Sequence, residues 1–120
     1  MKPDDLKDRT KQFALRVLKL VAALPKTIEG RAIASQLVRC GTSVAANYRA
    51  TCRARSKAEF IAKVGIVLEE AEALLWLELI AEANLLPSKR VDPLLAEANE
   101  LVAIMVASRR SAASNLKSEI

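Results

Sequence analysis

The chain has no histidine, only two cysteines, three glycines and four prolines among 120 residues, and 3% aromatic residues. Without histidine there is no imidazole to activate a Ser or Cys nucleophile, and no Glu-x-x-His pair of the kind that builds metal centres inside helix bundles. Three isolated glycines make no phosphate-cradling loop. So few turn residues exclude the many-hairpin pattern of an all-β chain. Four aromatic side chains, Phe13, Tyr48, Phe60 and Trp76, are too few for the stacking platforms of single-strand binders. No run approaches the ~20 apolar residues of a membrane span, and the start, Met1-Lys2-Pro3-Asp4-Asp5, has no apolar signal region. Cys40 and Cys52 fall on one predicted helix about 18 Å apart, beyond the roughly 7 Å that a disulfide allows. Free thiols suit a reducing compartment. The expectation is a cytoplasmic protein with no membrane contact, no cofactor, no metal and no enzymatic activity.

What is abundant is Ala, Leu, Glu, Lys and Arg, the strong helix formers, in a chain that is 52% hydrophobic. The expected fold is all-α, a single domain over 1–120, with helices at about 4–24, 28–54, 56–86 and 89–113. Leu6, Thr10, Phe13, Val17, Leu20 and Leu24 follow one another at spacings of 4 and 3, a core-facing stripe that Pro25 ends. In the second helix Ile33, Leu37, Cys40, Val44, Tyr48 and Thr51 line one side. Ser56-Lys57-Ala58-Glu59 reads as a capping box opening the third, whose stripe is Phe60/Ile61, Val64, Val67/Leu68, Ala71, Leu74/Leu75 and Leu79. The fourth starts between Ser88 and Pro93, runs through Leu94, Ala98, Leu101 and Met105, and leaves a frayed tail from Ser114. Gly41 and Gly65 cost their helices about 1 kcal/mol each relative to Ala and fit close helix approach. Short loops make successive helices antiparallel neighbours, an up-down-up-down four-helix bundle.

Charge is distributed unevenly. Residues 30–57 hold six cationic side chains and no acid, whereas residues 58–86 hold six acids and one cation. Projection at 100° per residue puts Arg31, Arg39, Arg49, Arg53 and Lys57 opposite the apolar side of the second helix, with small residues among them. That face has three readings: solvated surface, pairing with acids of the third helix, or contact with the phosphates of RNA or DNA. Phosphate contact would be backbone-directed and salt-dependent. On the third helix Trp76, Leu77 and Ile80 project away from the stripe, beside Glu69 and Glu72; this reads either as a subunit interface anchored by Trp76 or as a bundle core wide enough to reach Trp76. Glu78 and Glu82 fall on the apolar side, which predicts buried carboxylates paired with Arg49, Arg53 or Arg55.

The stretch from Ser43 to Leu86 resembles the bacterial four helix bundle protein family, also called the 23S ribosomal RNA intervening-sequence protein family. The matching elements are Ser43-Val44-Ala45-Ala46-Asn47, Arg53-Ala54-Arg55-Ser56-Lys57-Ala58-Glu59-Phe60, Lys63-Val64-Gly65-Ile66-Val67-Leu68-Glu69-Glu70-Ala71-Glu72 and Trp76-Leu77-Glu78-Leu79. The resemblance implies an antiparallel four-helix bundle assembled as a ring-like homo-oligomer, a pentamer. A related branch, the accessory variability protein of diversity-generating retroelements, forms a similar barrel that binds nucleic acid. Two functions follow as expectations. The first is a non-catalytic homopentamer binding structured RNA or DNA through its basic surface. The second is an assembly or adaptor protein whose basic and acidic helices pair within or between subunits, and whose free surface recruits another protein.

Overall fold

The computed structural model describes residues 2–69 and 73–119. Among them the chain is all-α, in five helical segments: α1 (Pro3–Ala22), α2 (Ile28–Thr51), α3 (Lys57–Glu69), α4 (Ala73–Glu82) and α5 (Ser88–Glu119). α3 and α4 stand on either side of residues 70–72 and take the place of the predicted third helix. α1 packs chiefly on α2 and α5, and α3 and α4 pack on the same two. α1 therefore lies diagonally across the molecule from α3 and α4, in a rod of 53 × 21 × 19 Å.

Local sequence explains most helix ends. Pro3 opens α1, where a missing N–H costs nothing, and Asp4 and Asp5 favour the positive end of its dipole. The Thr27 hydroxyl accepts the Gly30 N–H at 3.1 Å and caps α2. Gly30 is required there, since a Cβ would lie 2.0 Å from the Pro25 carbonyl oxygen. The Ser56 hydroxyl accepts the Glu59 N–H at 3.1 Å. The Glu59 carboxylate reaches one residue further back than a reciprocal box requires, to the Arg55 N–H at 3.2 Å. α4 closes in a Schellman motif: Asn84 takes the left-handed conformation (φ 57), Leu85 N–H donates to the Ile80 carbonyl and Asn84 N–H to that of Ala81. α5 begins at Ser88, so Pro93 sits inside the helix rather than at its start. It also continues to Glu119 where a frayed tail was expected; the segment after Arg110 contains no Gly or Pro to break the helix.

The core follows the predicted stripes on three helices. Leu6, Phe13, Val17, Leu20 and Leu24 are buried, as are Leu37, Cys40, Val44 and Tyr48 from α2 and Leu94, Ala98, Leu101 and Met105 from α5. Thr10 and Thr51 are buried with their hydroxyls donating to the carbonyls of Leu6 and Asn47, both at 2.8 Å. Gly41 faces Val17, and a Cβ there would lie 2.9 Å from both valine methyls, so this glycine sets the close approach of α1 and α2. Gly65 differs: its nearest neighbour would be the Arg109 side chain at 3.8 Å, ordinary contact rather than tight packing.

The third predicted stripe is correct through Val64 and Val67; beyond them Leu74 packs against the core as expected, whereas Leu75 and Leu79 do not. Ala73, Leu77 and Ile80 are the buried residues of α4, with Leu77 and Ile80 at 0% exposure. These two belong to the chain's own core and are not subunit-interface residues. Glu78 and Glu82, expected to be buried, are exposed, and Leu75 and Leu79 stand outward with them. The reason is helical phase. Six residues separate Val67 from Ala73, so one straight helix would set them about 120° apart. α4 is apolar on almost every side, so its composition alone did not reveal the change. Ala71 and Glu72 lie outside the described residues.

Candidate nucleic-acid interface

The outward side of α2 is a continuous polar stripe. Gly41, Val44 and Tyr48 turn it inward, which leaves Arg31, Ser35, Arg39, Ala46 and Arg49 exposed on the opposite side. Arg53, in the turn after α2, continues the line, and Arg55 and Lys57 are exposed beside it. Arg31 and Arg49 are separated by about 27 Å of helix, so the guanidiniums form a track rather than a cluster. All five basic residues expected at this surface are therefore solvent-facing.

Their partners differ. Arg39 donates to the Gln36 side-chain oxygen at 3.2 Å, one turn away on the same face, and Lys57 is also engaged. Arg31, Arg49 and Arg53 form no ion pair among the described residues. The expected pairing of Arg49, Arg53 or Arg55 with Glu78 and Glu82 is absent, because those acids face outward on α4. Glu59, the acid nearest in sequence, pairs with Lys63 at 3.6 Å within α3.

At the α2–α3 turn an open groove of about 350 Å³ adjoins the basic track. Tyr48, Thr51, Cys52 and Phe60 give it an apolar floor, and Arg55, Ser56 and Lys57 a polar rim. Burial pushes the Tyr48 hydroxyl above its ordinary pKa, and its hydrogen bond with the Cys52 side chain acts in the same direction. A neutral phenol is therefore fixed here over the physiological range. A small, partly open cavity of about 30 Å³ lies elsewhere, lined by apolar side chains including Phe13, Val67, Ala73 and Leu74. It presents no polar group to a reactant.

The other expected site residues fall elsewhere. Glu69 is exposed at the end of α3. Glu72, expected beside it at a subunit interface, lies outside the described residues. Trp76 is half-buried against the core, not standing away from it, and its indole N–H is buried without a hydrogen-bond partner among the described residues. One polar feature was not anticipated at all. Arg9 on α1 forks onto Glu97 of α5, its Nε 3.1 Å from the carboxylate, and reaches Glu100 at 3.3 Å. The hydrogen bond to Glu97 is the largest influence holding the Arg9 pKa above its ordinary value, against the opposing effect of burial. Only the packing of α1 on α5 brings these residues together, 88 positions apart, so no local motif could have indicated them.

A family model described as 23S rRNA-intervening sequence protein matches residues 5–107. A solved structure is also similar: a 1.70 Å crystal structure of a protein with unknown function from the S23 ribosomal protein family of Bacteroides thetaiotaomicron. It is 29% identical, with a TM-score of 0.79 over 92% of this chain and 99% of that one. No curated protein matches. Among the described residues no helix is long and apolar enough to cross a membrane.

Proposed function

Because the chain belongs to the 23S rRNA-intervening sequence protein family, we propose that it is a non-catalytic, cytoplasmic homo-oligomer that binds structured RNA or DNA through the outward side of α2. In this reading the four helices run up-down-up-down and assemble as a ring, with five copies favoured, so that one subunit's basic track is repeated around the assembly. The observation that carries the proposal is that Arg49 and Arg53 are exposed and unpaired with any acid among the described residues. A guanidinium left without a carboxylate is available to a phosphate, whose oxygens match its planar fork. Small neighbours such as Ser35 and Ala46 let a sugar–phosphate backbone come close. None of the four aromatic side chains is exposed, so contact is with the backbone and carries little sequence preference.

The experiment is a gel-shift titration of a hairpin RNA and a duplex DNA at low and rising salt, comparing the wild type with R49E/R53E. The proposal expects binding at low salt that salt weakens and that charge reversal largely removes. Absence of binding at low salt, or affinity indifferent to R49E/R53E, rejects it in favour of an assembly or adaptor role.

A further inference from the structure

Two apolar stripes are left uncovered, and they face in opposite directions. On α1, Leu15 and Leu18 are 48% and 44% exposed, on the side directly opposite Phe13 and Val17. On α4, Leu75 and Leu79 are 49% and 37% exposed, opposite Leu77 and Ile80. Since α1 and α4 occupy diagonal positions against α2 and α5, no single neighbour within the chain covers either stripe.

Their charges are complementary. From Arg9 to Lys26 the sequence has no acid, and the exposed Lys11 and Lys19 flank Leu15 and Leu18. From Val64 to Ser88 it has no cation, and the exposed Glu78 and Glu82 share the outward arc of Leu75 and Leu79. The stripes also lie at the same height in the rod: Phe13, Ala73 and Leu74 line one cavity, and Leu15 and Leu75 each follow by two residues from Phe13 and Ala73.

We propose that these stripes are the two halves of one heterologous subunit contact. α4 of one copy seats against α1 of the next, with Leu75 and Leu79 over Leu15 and Leu18, and Glu78 and Glu82 facing Lys11 and Lys19. The occupant is a second copy because the same chain supplies both complementary halves. A two-fold contact of α4 with α4 would set acids against acids, and one of α1 with α1 would set lysines against lysines. Head-to-tail contact closes into a ring when successive copies are related by rotation without a rise, and equal height of the two halves meets that condition. The contact leaves the outward side of α2 uncovered, since α2 lies between α1 and the α3–α4 side. This assignment rests on the homo-oligomer reading above.

The test is sedimentation velocity on the full chain with K11E/K19E, with E78K/E82K and with all four substitutions together, each checked for helix content by circular dichroism. All four positions are solvent-facing, so folding is expected to survive. The wild type should be oligomeric. Each double variant should associate about tenfold or more weakly, and the fourfold variant should recover assembly because the charges are exchanged across the contact. An oligomer unchanged in both double variants, or no recovery in the fourfold variant, overturns the contact while leaving an oligomer in place. A wild type that stays monomeric at all concentrations overturns the oligomer reading itself.

Discussion

A Cβ placed on Gly41 would lie 2.9 Å from both γ-methyls of Val17, so α1 and α2 meet at a distance that only glycine permits. Val17 is β-branched, buried and unable to turn aside. Gly41→Ala gains up to about 1 kcal/mol of helix propensity but incurs about 1–3 kcal/mol of overpacking. The balance is a loss, read as a lower urea midpoint at unchanged slope. Gly65→Ala is the control. Its new methyl meets only Arg109 at ordinary contact distance, so the same measurement should show stabilisation of about 0.5–1 kcal/mol.

Arg9 and Glu97 form a forked pair across α1 and α5, with side chains 25% and 18% exposed. Removing one partner leaves a partly buried charge without its counter-ion. Arg9→Ala should therefore cost about 1–3 kcal/mol. In a double-mutant cycle with Glu97→Ala, the second substitution should cost much less once the first is made. Additive costs would mean that the pair contributes nothing.

Asn84 stands in the left-handed region at the end of α4. Asparagine tolerates that conformation and glycine adopts it freely, whereas a β-branched side chain is forced out of it. Asn84→Gly should be neutral or slightly stabilising, and Asn84→Val should lower stability by about 1–2 kcal/mol. Thermal melts of the two variants decide this.

The raised pKa of Tyr48 carries a sign. The fold prefers the neutral phenol, so its stabilisation is fully present below the unfolded pKa of about 10. It is lost as pH climbs from there through the raised folded value. Unfolding free energy measured across the alkaline range should fall more steeply for the wild type than for Tyr48→Phe. Equal slopes would contradict the assigned burial.

Much of this was legible in the sequence because polar and apolar residues were well segregated. The stripe from Leu6 to Leu24 and the outward arginines of α2 needed only a helical projection. α4 defeated the same method. Leu74, Leu75, Trp76, Leu77, Leu79 and Ile80 surround the helix almost evenly, so only the phase of Val67 indicates a buried side, and α4 departs from that phase. That single displacement moved Leu77 and Ile80 from surface to core and Glu78 and Glu82 from core to surface. Arg9 and Glu97 were unreadable for another reason, since tertiary packing alone brings them together. The end of α5 lacked an apolar stripe, yet helix propensity without a breaker carried it to Glu119.

The most direct test of phosphate contact by α2 is the salt dependence of binding to a structured RNA, measured by fluorescence anisotropy for the wild type and for Arg49→Gln/Arg53→Gln. Each phosphate contact contributes close to one unit to the slope of log affinity against log salt. The account predicts weaker binding at every salt concentration and a slope shallower by about two units in the double variant. Identical slopes and affinities in the two proteins would contradict it.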